Sequence, residues 1–268
     1  MRQVLWVITL QCVLTVVGAS QEKLPVYAGC GKNPFLVFAN TGDPLSAEPE
    51  TSHNLAIDRL SREGVRPTNA ALRSALRNPK VEVRYAAAWF LADHNAKNAI
   101  PDIFEALEAE QAPRAKAYLA CALAELGDKR GLEALRGYCD ESDFPVELKV
   151  DVANFLLEFH QPSCPKVVAE GLAAGLLQAE IAVGNFWEVS PSQYAELRAL
   201  ALKDESIGAR MKMMDIIRFL RDVAAIPDLQ AAIAKGPDTS GSAMSQQSEN
   251  LIQDEMQELV KYLKALQH

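Results

Sequence analysis

The fold class this sequence predicts is all-α: an α-solenoid of about six stacked helical hairpins, with a loop-rich N-terminal arm and an amphipathic C-terminal helix. Three observations predict it. First, the string V-R-Y-A-A-A-W-F-L…I-P-D-I from Val83 to Ile103 returns as A-R-M-K-M-M-D-I-I-R-F-L…I-P-D-L from Ala209 to Leu229. Second, two intermediate copies lie between them at a spacing of about 32 residues, the period of a stacked hairpin array. Third, Ala, Leu and Glu abound, apolar residues recur at three and four, and Pro or Asn-Pro punctuates the segments.

Residues 1–19 read as a secretory leader. Arg2 is the only charge before Glu22, Val4 to Val17 is mostly apolar, and the small residues Gly18, Ala19 and Ser20 follow. Cleavage after Ala19 is the simplest outcome. The apolar stretch is shorter than the ~20 residues a span needs, and no later run is free of charges, so no membrane span is expected after cleavage. The expected location is therefore exported, periplasmic or secreted. Tyr27-Ala28-Gly29-Cys30 loosely resembles a lipoprotein box, but Glu22-Lys23 separates it from the apolar core, so no lipid anchor at Cys30 is expected.

Residues 20–53 form an extended arm rich in Pro and Gly, in which Phe35-Leu36-Val37-Phe38 is the only apolar cluster. Its expected use is to cover the first hairpin, as the end of an array requires.

Residues 54–235 carry the repeat. Basic residues near the start of each first helix align at Arg84, Lys116, Lys149 and Arg210, and sixteen residues after each lies the start of a second helix, at Ile100, Leu132, Pro165 and Ile226. A degenerate copy is expected at Leu176–Trp187 and Ser192–Leu202, and an opening hairpin at Asn54–Arg62 and Thr68–Leu76. The stripe Ile100, Ile103, Leu107 and its equivalents Leu132, Leu135, Cys139, then Val168, Leu172, then Ile226, Leu229, Ile233 should face inward. Residues 236–250 read as a flexible linker. Residues 251–268 form an amphipathic helix with the seam Ile252, Met256, Leu259, Leu263 and Leu266. Two heptads make a weak coiled coil. The seam suits a cap folded back on the array, with a weak homodimer as its other use.

Val83–Leu91, together with A-L-A-E-L-G-D-K-R-G-L-E-A-L in Ala122–Leu135, resembles HEAT-like repeats of the phycobilisome-lyase type over roughly residues 54–235. The resemblance implies a HEAT-like superhelix. At the turn, His94-Asn95, His160-Gln161 and Arg221-Asp222 stand where Gly127-Asp128 stands in the second copy. Tetratricopeptide repeats have a similar period, but their Trp, Gly-Tyr and Pro positions are absent.

Charge and chemistry bound the function. The net charge of −8 becomes −9 without Arg2, and the signs are well mixed, which argues against nucleic acid as partner. Of the four cysteines of the mature chain, Cys30, Cys121, Cys139 and Cys164, none has zinc-ligand spacing, so no metal or other cofactor is expected. Free thiols are the expectation in the core, because Cys139 ends one second helix and Cys164 begins the next; a cross-link at Cys30 stays open. His53, His94, His160 and His268 fall in arms, turns or the terminus, and no phosphate loop, G-x-S-x-G or H-E-x-x-H occurs.

A non-enzymatic protein-interaction scaffold is thus the leading reading, binding a protein or peptide on the concave face that second helices line. The candidate binding residues there are Phe104, Glu105, Glu108, Glu133, Arg136, Lys166, Glu170 and Gln230. The alternatives are a small-ligand-binding or structural module, and a lyase-like enzyme built on the repeat, for which no catalytic residue can be named.

Overall fold

The computed structural model describes residues 59–237 and 243–267. The leader, the arm with Cys30 and the Phe35–Phe38 cluster, and the start of the first expected helix lie outside the described residues. Residues 59–62 are helical, and α1 (Asn69–Ala75) follows, opened by Thr68, whose hydroxyl accepts from the Ala71 N–H at 3.4 Å.

Five hairpins come next. They are α2 (Val81–Asp93) with α3 (Ile100–Ala109), α4 (Pro113–Glu125) with α5 (Lys129–Asp140), α6 (Val146–Glu158) with α7 (Pro165–Ala173), α8 (Leu177–Val189) with α9 (Pro191–Lys203), and α10 (Ile207–Leu220) with α11 (Ile226–Lys235). The last element is α12 (Ala243–Ala265). Pro stands in the opening turn of α3, α4, α7, α9 and α11, where its missing N–H costs nothing.

The hairpins stack as a solenoid. First helices lie side by side, α2 on α4, α4 on α6 and α6 on α8, and each second helix also packs on the next first helix, as α3 does on α4 and α5 on α6. Composition explains the two layers. In α2, every residue from Ala86 to Ala92 is buried, and in α4 every residue from Ala117 to Ala124 is, so these helices are enclosed on all sides. Their alanines permit that enclosure. By contrast, α3 fully buries only Ile103 and Leu107, and α5 only Gly131 and Leu135, leaving the rest of each second helix toward water.

The turn inside each hairpin explains the register. Asn95, Gly127, His160 and Arg221, each eleven residues after its aligned basic residue, have φ of 50°, 88°, 52° and 52°. The following N–H reaches back to the helix, Ala96 to Leu91 O at 2.8 Å, Asp128 to Leu123 O at 2.9 Å, Gln161 to Leu156 O at 2.9 Å and Asp222 to Ile217 O at 3.0 Å. In the first copy the pair equivalent to Gly127-Asp128 is therefore Asn95-Ala96, one residue later than His94-Asn95. Three non-glycine residues hold a left-handed conformation that costs them roughly 1–2 kcal/mol. Arg221 is exposed, so Arg221→Gly should stabilise the chain by about 1 kcal/mol. Denaturant melts of the two proteins check it; an unchanged or lower midpoint would show the turn to be unstrained.

Three cysteines depart from expectation. Cys139 and Cys164 form a disulfide, with Cα atoms 6.3 Å apart, and Cys121 is disulfide-bonded as well. Parallel stacking of second helices would keep the first pair at opposite ends. Residues 161–164, however, carry no helix, whereas the first and fifth hairpins place 3-10 turns, Lys97–Ala99 and Val223–Ala225, at this point. The segment runs back along α6 instead, with Ser163 Oγ donating to the Ala153 carbonyl at 2.6 Å, which carries Cys164 to the far end of α5.

The C-terminal elements also differ. The linker expected over 236–250 gives way to helix at Ala243, and the break is at Gly236, whose φ of 77° ends α11. Ser and Gln do not oppose a helix that tertiary contacts support. Ile252, Met256, Leu259 and Leu263 are buried against α10 and α11, so that part of the seam is covered within the chain, while Leu266 at its end is exposed. Among the described residues, no helix is long and apolar enough to cross a membrane.

The candidate interaction face on the second helices

Every candidate binding residue falls on a second helix: Phe104, Glu105 and Glu108 on α3, Glu133 and Arg136 on α5, Lys166 and Glu170 on α7, and Gln230 on α11. Seven of them are exposed, because the buried stripe of each helix lies on the opposite side. Phe104 is the exception. Its ring is half-buried against the core, with the Arg130 guanidinium 3.7 Å from its centre, so it is a covered platform and not a bare anchor. Arg130 is held in turn by Asp128, whose carboxylate also caps α5 by accepting the Arg130 N–H at 3.0 Å.

Side chains stitch neighbouring second helices together. Arg77 of the residues after α1 meets Glu105 at 2.8 Å, and Arg136 of α5 donates to Gln161 Oε1 at 2.5 Å. Lys166 and Glu170 lie 4.0 Å apart on one helix. Deeper down, Arg73 bonds Asp102 at 2.7 Å and Arg198 bonds Asp228 at 2.7 Å. Those two carboxylates are the Asp of the two I-P-D strings. The repeated string is thus a lateral joint: its Ile packs inward and its Asp takes an Arg from the preceding second helix. Composition alone did not single out Arg73 or Arg198, although the paired I-P-D strings were the available signal.

Arg198 anchors the one elaborate polar cluster among the described residues. It is buried and also bonds Asp222 at 2.6 Å, while the Tyr194 hydroxyl donates to Asp222 at 3.1 Å. Burial and the adjoining Asp222 both push the Tyr194 hydroxyl up, keeping it a donor. Asp222 further accepts from the Ala224 N–H at 3.1 Å and so ties α9 to the turn after α10, while Arg198 reaches α11 through Asp228. These contacts are structural: the one guanidinium of Arg198 is shared by the Asp222 and Asp228 carboxylates. Among the described residues, no group of three or more His, Cys, Asp or Glu could hold a metal ion.

The hydrophobic core divides at α6. Val152, Phe155 and Leu156 belong to the core of α1 to α5, whereas Val150, Ala153 and Leu157 belong to that of α7 to α12. Polar groups gather at this junction: Asn185 of α8 donates to Asn154 of α6 at 3.0 Å, and Asp151 is buried with Oδ1 lacking a partner. Burial pushes the Asp151 carboxyl up to about 7, partly offset by Arg114 of α4 and reinforced by Glu147. Because its folded value exceeds the unfolded 3.8, Asp151 favours the fold while protonated. Its contribution is lost as pH rises from about 4 to 7, by about 4 kcal/mol. Asp151→Asn should remove that slope. Melts of both proteins at pH 4.5 and pH 8 check it, and equal slopes would show that Asp151 is ionised without penalty. Phe186 of α8 is fully buried and Trp187 packs edge-on against Tyr194, ring centres 5.0 Å apart, so the Asn185-Phe186-Trp187 string serves the core.

No curated protein and no solved structure matches the chain. Residues 69–149, from α1 into α6, match the family model described as HEAT repeats, and the packing of each second helix on the next first helix continues with α7 on α8 and α9 on α10. The array is thus an α-solenoid of HEAT-like hairpins.

Proposed function

We propose that the chain is an exported, non-enzymatic scaffold that binds a protein or peptide on the concave side of the solenoid, the side its second helices line. One observation carries the reading. Successive second helices, including the largely buried α7, keep mixed-charge side chains exposed, from Glu105 and Glu108 through Glu133 and Arg136 to Lys166 and Glu170. Mixed signs fit a protein surface, whose own charges are mixed, better than a polyanion such as nucleic acid, which needs clustered Lys and Arg. The disulfide between Cys139 and Cys164 supports the export reading, since such bonds persist in oxidising compartments.

The combined variant Glu105→Ala, Arg136→Ala and Lys166→Ala tests the face. Each residue is exposed and its pairing is worth at most about 1 kcal/mol, so the fold should survive. Cross-linked capture of the mature protein from its own exported compartment, read by mass spectrometry, should yield a stoichiometric protein partner that the triple variant loses. A partner retained by the variant would sink the concave-face proposal, and an empty capture would sink the scaffold reading.

A further inference from the structure

The Cys139–Cys164 disulfide lies where the two halves of the core meet. Among the described residues, these two cysteines are the partly buried apolar side chains that pack against both halves. The boundary has the makings of a joint. On the first-helix side it runs along α6, which gives Val152, Phe155 and Leu156 to one half and Val150, Ala153 and Leu157 to the other. Asp151 of α6 stands at the register of Tyr118 in α4, each two residues after its aligned basic residue. Tyr118 stacks on Tyr85 and meets Phe155 edge-on at 5.6 Å, whereas Asp151 is buried with Oδ1 unpartnered. A polar seam forfeits less on opening than an apolar one, so the array bends most readily here. The hairpins on either side are firm in themselves. Gly131 admits α5 close to α4 and Gly171 admits α7 close to α6, where a Cβ would lie 2.3 Å from the Ala120 carbonyl oxygen and 2.8 Å from Val150 Cγ2. Movement is thereby confined to the joint between them.

We propose that the Cys139–Cys164 bond locks this joint and so fixes the spacing between the two parts of the binding face; the consequence for binding rests on the function proposed above. Arg136 precedes Cys139 by three residues and Lys166 follows Cys164 by two, so the bond stands between the α5 and α7 members of that face. It holds the two Cα atoms 6.3 Å apart. The other tie from α5 to the segment before α7 is the Arg136–Gln161 hydrogen bond, which is exposed and competes with water. Without the disulfide, the α5 and α7 parts of the face are free to part. With it, the face is preorganised, and a partner that touches both parts binds without first having to align them.

Closing the lock is a two-electron oxidation. The Cys139 and Cys164 thiols each give up one proton and one electron as the S–S bond forms. The electrons and protons pass to the disulfide of a thiol–disulfide oxidoreductase, which breaks to two thiols. A dithiol reductant reverses the step and is itself left as a disulfide. Both cysteines are partly exposed and open to such a reagent, whereas Cys121 is fully buried.

The distance across the joint tests the lock. Spin labels carried on unnatural amino acids replace Glu108 and Gln230, which are exposed and lie on opposite sides of it. The oxidised full chain is compared with the variant Cys139→Ser with Cys164→Ser, which leaves Cys121 as it is, and with the parent treated with dithiothreitol, which needs no substitution. Electron–electron resonance should give a narrow distance distribution for the oxidised chain and one at least twofold broader without the bond. Amide hydrogen exchange should rise at least tenfold at residues 137–140 and 161–168, while α2, α3 and α9 to α11 keep their rates. Equal widths would overturn the lock, and so would exchange that rises evenly along the chain, since the bond would then stabilise the whole fold. Capture of the partner is a separate readout, expected to fall at least fivefold without the bond. Undiminished capture beside a broadened distribution would overturn control of the binding face. An empty capture from the oxidised parent would sink the scaffold reading, and the distance distributions would still decide the lock.

Discussion

Gly131→Ala should destabilise the protein by about 3 kcal/mol, although alanine is the better helix former. Gly131 lies in the first turn of α5, where α5 crosses α4. A Cβ built on it would lie 2.3 Å from the Ala120 carbonyl oxygen and 2.5 Å from the Ala124 nitrogen. Both are backbone atoms of an enclosed helix, so relief requires α5 to move away from α4. That shift would open gaps around Leu135 and Leu123, which are fully buried. Gly137 on the same helix provides the control. Nothing lies within 4 Å of its added Cβ and it is exposed, so Gly137→Ala should gain roughly 0.5–1 kcal/mol. Urea melts of the two variants should therefore move in opposite directions. If both gain stability, the approach of α5 to α4 is looser than the structure has it.

The second large effect is expected at the C-terminal end. Arg210 and Glu249 form a two-pronged ion pair, Nη1 to Oε2 at 2.9 Å and Nη2 to Oε1, with both residues buried. Arg218 makes a second bridge to Glu255, so α12 runs parallel to α10 and takes the place of the first helix of another hairpin. It packs on α10 and α11 as α4 packs on α2 and α3. Glu249→Ala strands the Arg210 guanidinium, whose Nε already has no partner, and should cost about 3–5 kcal/mol. The double variant Arg210→Met with Glu249→Leu should recover most of it, because an apolar pair of similar volume suffices there. Limited proteolysis between Gly236 and Ala243 adds a local readout, since undocking of α12 bares Met213, Met214 and Ile217. A single variant as stable as the parent would mean that the apolar seam alone holds α12.

These two sites mark where the sequence stopped being legible. A glycine at position 131 carries no mark that separates it from Gly137, since the difference lies in what crosses above it. Glu249 fell in a stretch rich in Ser and Gln that reads as a linker, whereas the structure makes it a helical residue paired with the Arg210 guanidinium. The Cys139–Cys164 bond was missed for a related reason. Second helices were taken to start in register, and the unwound path of residues 161–164 breaks that register without changing the repeat length.

Sequence alone determined the hairpin array, its period and its buried stripes, because burial in a helix writes itself into spacing: a side chain must return every three or four residues to stay covered. It also placed the turns inside the hairpins through Gly127-Asp128, one residue early in the first copy; their left-handed backbone came only with the structure. Tertiary structure decided which charges are spent on joints between hairpins, which faces stay open, and which cysteines meet. Those outcomes depend on distances between residues 25 to 40 positions apart, as Arg136 to Gln161 and Arg210 to Glu249 show. A few ångströms of helix shift, invisible in the periodicity, set such distances.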